Sequence, residues 1–175
     1  MFRSFVFVFT LIFLSTTDLY GQKKANEIFE ASKGAWSAPV PKFKTIIDVD
    51  YRRGLYCCDR GDLSLSLITD SSYEVKAVHE GIVRAIFKID STYAIGINFG
   101  DYWIFYCGLE KPDVIRGDSV LLHQTIGTLY KEKDAEEYEL FVLVMKHDKQ
   151  IDASKWFRKL TNEIPDCNNP DMFNF

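Results

Sequence analysis

The chain has 175 residues, 47% hydrophobic and 15% aromatic, with 21 Lys and Arg against 25 Asp and Glu for a formal net charge of −4. That length holds one ordinary domain with a little over, and that much apolar side chain can fill a real core. The basic residues are scattered, with short pairs such as Lys23-Lys24 and Arg52-Arg53, so the concentrated positive patch of a nucleic-acid-binding domain is absent.

The chain opens with Arg3 ahead of an apolar run from Phe5 to Leu14, followed by small and polar residues. This is the layout of a secretory signal, with cleavage expected after Gly21. The run is short for a membrane span, and no later run reads as a membrane-crossing helix. Leu19 is large for its place near the cut, which leaves a retained anchor as the alternative. The expected division is residues 1–21 as signal peptide, 22–35 as an N-terminal arm or short helix, 36–160 as the folded domain and 161–175 as a tail. The expected location is the periplasm or the exterior.

Residues 23–34 suit a short helix stopped by Gly34. Pro39 and Pro41 keep the next stretch extended. From Thr45 the pattern changes to period two. In LSLSLITD, Leu63, Leu65 and Leu67 face one way, with Ser64 and Ser66 the other. YEVKAVHEGIVRAIFKI predicts two strands meeting near Gly81. TYAIGINFGDYWIFYCGL predicts a hairpin turning at Gly100-Asp101. Short strands follow in DSVLLHQTIGTLYK. YELFVLVMKH predicts a long strand with two largely apolar faces, Glu139, Phe141, Leu143 and Met145 on one and Tyr138, Leu140, Val142 and Val144 on the other. A short helix is expected near DASKWFRKL. Many short strands and few helices predict an all-β domain, an antiparallel sandwich or open barrel with short terminal helices.

Four cysteines, Cys57, Cys58, Cys107 and Cys167, follow the expected cut. Export brings oxidising conditions. Neighbouring strand residues point oppositely, so Cys57 or Cys58 is expected to reach Cys107 or Cys167 in a disulfide. The aromatic strand containing Tyr102 and Trp103 reads either as core or as a surface for a glycan or partner. EKDAEEYE reads as a solvated acidic loop or as a contact for a basic partner.

Several pieces occur in a fixed order: VKAVHEGIV, INFGDYWIFYCGL, VIRGDSVLLHQTIGTLY and ELFVLVMKHDKQIDASKWF. From about Trp36 to Phe157 this order resembles the LytM/lysostaphin-like zinc endopeptidases, which cut peptide cross-links in bacterial cell walls. The most specific piece is Gly117, Asp118 and Val120, followed by Gln124, Ile126 and Gly127. The resemblance implies a peptide-binding groove across a β-sheet and a zinc site at set places. The family's first metal-binding His and Asp fall on Asp62 and Ser66. A functional His falls on Gly108. The His-x-His strand falls on Glu139 and Phe141, with Phe141 in the place of a zinc ligand. None of these positions keeps the family residue. Catalytic zinc needs about three protein ligands and an open water position, and a phenyl ring offers no lone pair. Phe141 is expected to seal the groove floor instead. Because Cys107 neighbours the family's His position, its side chain is expected to point away from the groove.

His79, His123 and His147, the only histidines, share no ligand-like spacing. A mixed site from Asp62, Glu139 and Cys107 is the remaining metal option. A Cys107 nucleophile would need His79 or His123 as its base. The expected function is therefore a non-catalytic envelope module without a cofactor, binding a protein partner or a peptidoglycan peptide. The alternative is a zinc-dependent peptidoglycan endopeptidase with relocated ligands.

Overall fold

A computed structural model describes residues 21–46, 64–70, 74–133 and 135–158. The expected signal sequence, Cys57, Cys58, Asp62 and Cys167 lie outside the described residues. Residues 21–31 form a helix, α1. Ten strands follow: β1 (Phe43–Ile46), β2 (Leu65–Thr69), β3 (Glu74–Lys76), β4 (Gly81–Ile89), β5 (Thr92–Phe99), β6 (Tyr102–Pro112), β7 (Ser119–Val120), β8 (Thr125–Leu129), β9 (Tyr138–Lys146) and β10 (Lys149–Ile151). A single 3-10 turn, Ala153–Trp156, ends the described chain's regular structure. Among the described residues no helix is long and apolar enough to cross a membrane.

The main path of the sheet runs β1-β2-β9-β6-β5-β4-β7; β10 pairs with β9, while β8 pairs with both β6 and β3. The β5–β6 hairpin turns at Gly100 and Asp101, and Phe99 pairs with Tyr102 across it. The long β9 lies between β2 and β6. Its alternation divides it cleanly: Leu140, Val142 and Val144 are buried in the core, while Phe141, Leu143 and Met145 are half-buried on the opposite face. A strand with period-two side chains separates two environments in this way.

The Gly-Asp-x-Val and Gln-x-Ile-Gly segments serve the architecture. Gly117 N–H donates to the Val83 carbonyl (2.8 Å), and Val83 N–H donates to the Asp118 carbonyl (2.9 Å). The Asp118 carboxylate accepts from Ile115 N–H (2.9 Å), and the Gln124 side-chain oxygen accepts from Leu121 N–H (3.0 Å). Val120 and Ile126 are buried. These bonds satisfy loop backbone that no strand ladder would reach.

The segment read as an arm or short helix is packed onto the body. Phe29 of α1 is fully buried and stacks on Tyr102, with centroids 4.1 Å apart, and meets Trp36 edge-on at 5.4 Å. The Tyr102 hydroxyl donates to Glu30, and Lys146 Nζ lies 3.5 Å from the same carboxylate. The Lys33 hydrogen bond, then that of Tyr102, holds the Glu30 carboxyl below its usual range. Gln22 and Asn26 donate to the Asp101 carboxylate (2.6 and 2.5 Å), pinning α1 to the hairpin turn. Trp36 then pairs with Phe157 in a parallel bridge, joining the two ends of the described domain.

Tyr102 is thus corrected as a surface candidate. Alternation along β6 shows two faces without saying which is covered; α1 covers the face carrying Tyr102 and leaves Trp103 half-buried on the other.

Burying an aromatic side chain of this size stabilises by a few kcal/mol, and deleting it also opens a cavity. Phe29→Ala is expected to lower unfolding stability by about 3–5 kcal/mol in urea titration. Ile28→Ala, at a position 46% exposed, is the control and should stay within about 0.5 kcal/mol.

Candidate functional site

On the face opposite the core, strand registers set side chains in rows. Phe87 pairs with Ala94, Ala94 with Cys107, Cys107 with Phe141, and Phe141 with Ser66. Directly paired residues project to the same face, so this row crosses the sheet from β4 to β2. Ile68 pairs with Glu139 one step along. Ser66 Oγ donates to Glu139 Oε1 at 2.8 Å.

Here the chain bends into a cleft of about 790 Å³. Its floor includes Ile68, Cys107 and Phe141; one wall is the β4–β5 turn from Ile89 to Thr92, and the other is the segment before β9. Gly108 and Glu139 also line it. The fold therefore gathers four of the five positions marked by the family resemblance: Ser66, Gly108, Glu139 and Phe141. Asp62, the fifth, lies outside the described residues.

These four do not fit zinc. Phe141 and Gly108 have no donor atom. The Ser66 hydroxyl is spent on Glu139, whose carboxylate is the one ionisable group of the four. Gly108 has a structural reason of its own. Its φ is +95°, and a Cβ built on it would sit 2.6 Å from the Glu139 carbonyl oxygen. Any side chain there would require the backbone to move. Among the described residues no group of three or more His, Cys, Asp and Glu is placed to hold a metal ion.

The histidines stand elsewhere. His79 is buried beside Phe99 and Phe29, at centroid distances of 4.6 and 5.0 Å, and its Nδ1 is 2.7 Å from the Glu80 carbonyl. His123 occupies a turn with φ of 64°. His147 lies 3.8 Å from Asp101. None of the three lines the cleft, so Cys107 has no imidazole base there.

No protein-family model matches the chain, and no curated protein matches it. Solved structures do. A zinc-containing peptidase from Vibrio cholerae superimposes with a TM-score of 0.55 at 18% identity, covering 76% of this chain and 41% of that one. The catalytic domain of the prophage-encoded M23 protein EnpA from Enterococcus faecalis, in mutant form, gives 0.52 at 19%, covering 66% and 93%. The fold is that of the LytM peptidases. It is a distant and degenerate version of that fold. The chain spans under half the length of the Vibrio peptidase and nearly all of the Enterococcus domain.

Within the LytM frame, Tyr106 keeps a purely architectural place: its buried hydroxyl accepts a hydrogen bond from Val78 N–H at 2.9 Å, and burial pushes its pKa up. Two expectations for Cys107 are overturned. No disulfide forms among the described residues, where Cys107 is a free thiol. Its side chain also lines the cleft, because its register partner is Phe141 and the neighbouring Gly108 is left-handed. The sequence reading did not find Phe87, Phe105 or Ile89 as neighbours of this site. Their shared spacing in β4 and β6 was a signal, but sheet pairing was needed to bring them together.

Burial pushes the Cys107 thiol up to about 11, so little thiolate exists at neutral pH. In a variant with Cys57, Cys58 and Cys167 changed to Ser, alkylation by iodoacetamide at pH 8 should run about 100-fold slower in the folded than in the urea-unfolded protein. The native rate should climb as pH rises toward 11. Fast native labelling at pH 8 would show an activated thiol.

Proposed function

We propose that this chain is a non-catalytic LytM-like module of the cell envelope that acts by binding. One observation carries the reading: Phe141 lies between Ser66 and Cys107 on the cleft floor, at the position where the family resemblance would put a zinc ligand. A metallopeptidase draws its nucleophile from metal-bound water. A ring at the ligand position removes a donor and lines the floor with apolar surface. The Ser66–Glu139 bond ties up the polar atoms beside it. Fold alone leaves function open; the donor set in the cleft is what favours binding over hydrolysis.

Support for an envelope setting comes from the secretory-type N-terminus. A periplasmic or secreted protein, cleaved near Gly21, would meet both envelope proteins and peptidoglycan. Its role would be to hold, regulate or brace a component of a wall or envelope complex. Trp103, half-buried on the open face, belongs to the surface proposed for contact.

The purified mature protein should contain far less than one zinc per chain by elemental analysis. Added zinc should leave its melting temperature unchanged, and it should release no soluble fragments from isolated peptidoglycan. One tightly held zinc per chain, with wall cutting lost on chelation, would establish the endopeptidase with relocated ligands instead.

A further inference from the structure

The cleft has a chemical polarity that narrows its occupant. Its floor carries Ile68 and Phe141, and Ile89 adds an apolar side chain to the wall that also holds Asp90, Ser91 and Thr92. Its rim carries Asp90, Glu132, Glu136 and Glu137, with Glu139 deeper; among the described residues no Lys or Arg lines it, and a cation at its edge is Lys131, whose Nζ lies 5.2 Å over the Tyr138 ring. Beyond Ile89 the same sheet face continues as rings. Phe87 and Phe105 have centroids 6.2 Å apart, and Phe105 stacks on Trp103 at 5.7 Å with an interplanar angle of 5°. Phe105 lies against the sheet because Gly96 beneath it has no side chain; a Cβ there would come within 2.6 Å of the ring. Phe87 is 43% exposed and Ile89 46%, so this apolar strip is open to a ligand.

Building on the binding reading above, we infer that the cleft docks a cationic polypeptide segment, one apolar or aromatic side chain flanked by Lys and Arg. The anchor side chain enters over Ile68 and Phe141 and removes apolar surface from water. The flanking cations meet carboxylates on the rim, above an apolar floor in a recess that concentrates their field. An Arg reaching past Ile89 finds the faces of Phe87 and Trp103, which attract a guanidinium. The charge also tells against other occupants. Residues 161–175 of this chain include Glu163, Asp166 and Asp171 and no Lys or Arg, so that segment would be repelled. A wall stem peptide rich in free carboxylates meets the same repulsion.

The test uses the full mature chain and fluorescein-labelled dodecapeptides read by anisotropy. One peptide carries Phe and Leu among five Lys and Arg. A second replaces the basic residues by Glu, and a third keeps the charge but replaces Phe and Leu by Ser. Soluble wall peptides serve as competitors. The first peptide should bind, the third about tenfold or more weakly, and the second not at all. Raising salt from about 50 to 300 mM should weaken the first roughly tenfold, since rim charges are screened. Glu132→Gln with Glu136→Gln, both exposed positions, should weaken it roughly two- to tenfold at an unchanged melting temperature. Equal binding of acidic and basic peptides overturns the inference. So does indifference to the paired substitution, absence of basic-peptide binding up to about 1 mM, or capture of wall peptides in its place. Zinc content separates the two levels. A zinc-free, non-cutting protein that ignores the basic peptide loses this inference alone, while a zinc-loaded wall-cutting protein loses the functional reading beneath it.

Discussion

The register of β9 between β2 and β6 is the constraint on which the rest of the molecule depends. It gives one set of residues, Leu140, Val142 and Val144, to the core. It gives the alternate set, Glu139, Phe141, Leu143 and Met145, to the open face. A slip of one residue would exchange the two sets and expose the core. The pairing is held on both sides, by five partners on β2 and six on β6 running from Leu65↔Val142 to Cys107↔Phe141. Such a strand cannot move to accommodate chemistry. Chemistry at this place can change only by changing what the outward residues are.

That separation of faces lets the outward residues of a LytM-like fold differ widely while the core stays folded. The core-facing residues, the Tyr106–Val78 bond and the Asp118 and Gln124 loop bonds are all independent of the cleft. Changes on the cleft face take nothing from them. On the cleft side, a zinc site would gather charge and water. The residues present do the reverse: a ring, a hydroxyl–carboxylate bond and a glycine whose conformation leaves no room for a side chain. The recess persists because the β4–β5 turn and the segment before β9 still rise around it. A recess lined by rings below and carboxylates above is suited to recognition by burial and charge.

The N-terminal helix decides the use of the other face. Phe29 under α1 draws Tyr102, Trp36 and Trp156 into one aromatic cluster. Asp101 anchors the start of the helix: burial alone would raise its pKa, but hydrogen bonds from Gln22 and Asn26 hold it below the usual carboxylate value. With that face covered, the exposed large apolar side chains among the described residues are Phe87 and Ile89 on the cleft side, Ile82, the loop residues Ile115, Leu121 and Leu122, and Ile28 on the helix itself.

Much of this was legible in the chain. The Gly100-Asp101 hairpin, the alternation of β9 and the turn at Gly117 each rest on local chemistry that few residue types satisfy, so they declare themselves in sequence; Gly127, which reads as a turn, instead lies within β8. That Phe141 and Gly108 bring no side-chain donor to the cleft was legible too, because neither residue has one in any conformation. Which face of β6 is buried was not legible, since Tyr102 and Trp103 are both aromatic and only the docking of α1 selects between them. The orientation of Cys107 was not legible either, because it follows from pairing with Phe141, a partner far along the chain. Nor was the acidic rim, which needs the β4–β5 turn and the segment before β9 to stand on facing walls. The sequence by itself determined the strand pattern and which atoms are available for chemistry, because backbone preference and side-chain composition are local. Only the tertiary structure decided which of those side chains face one another, because β pairing joins residues whose separation along the chain carries no trace of their contact.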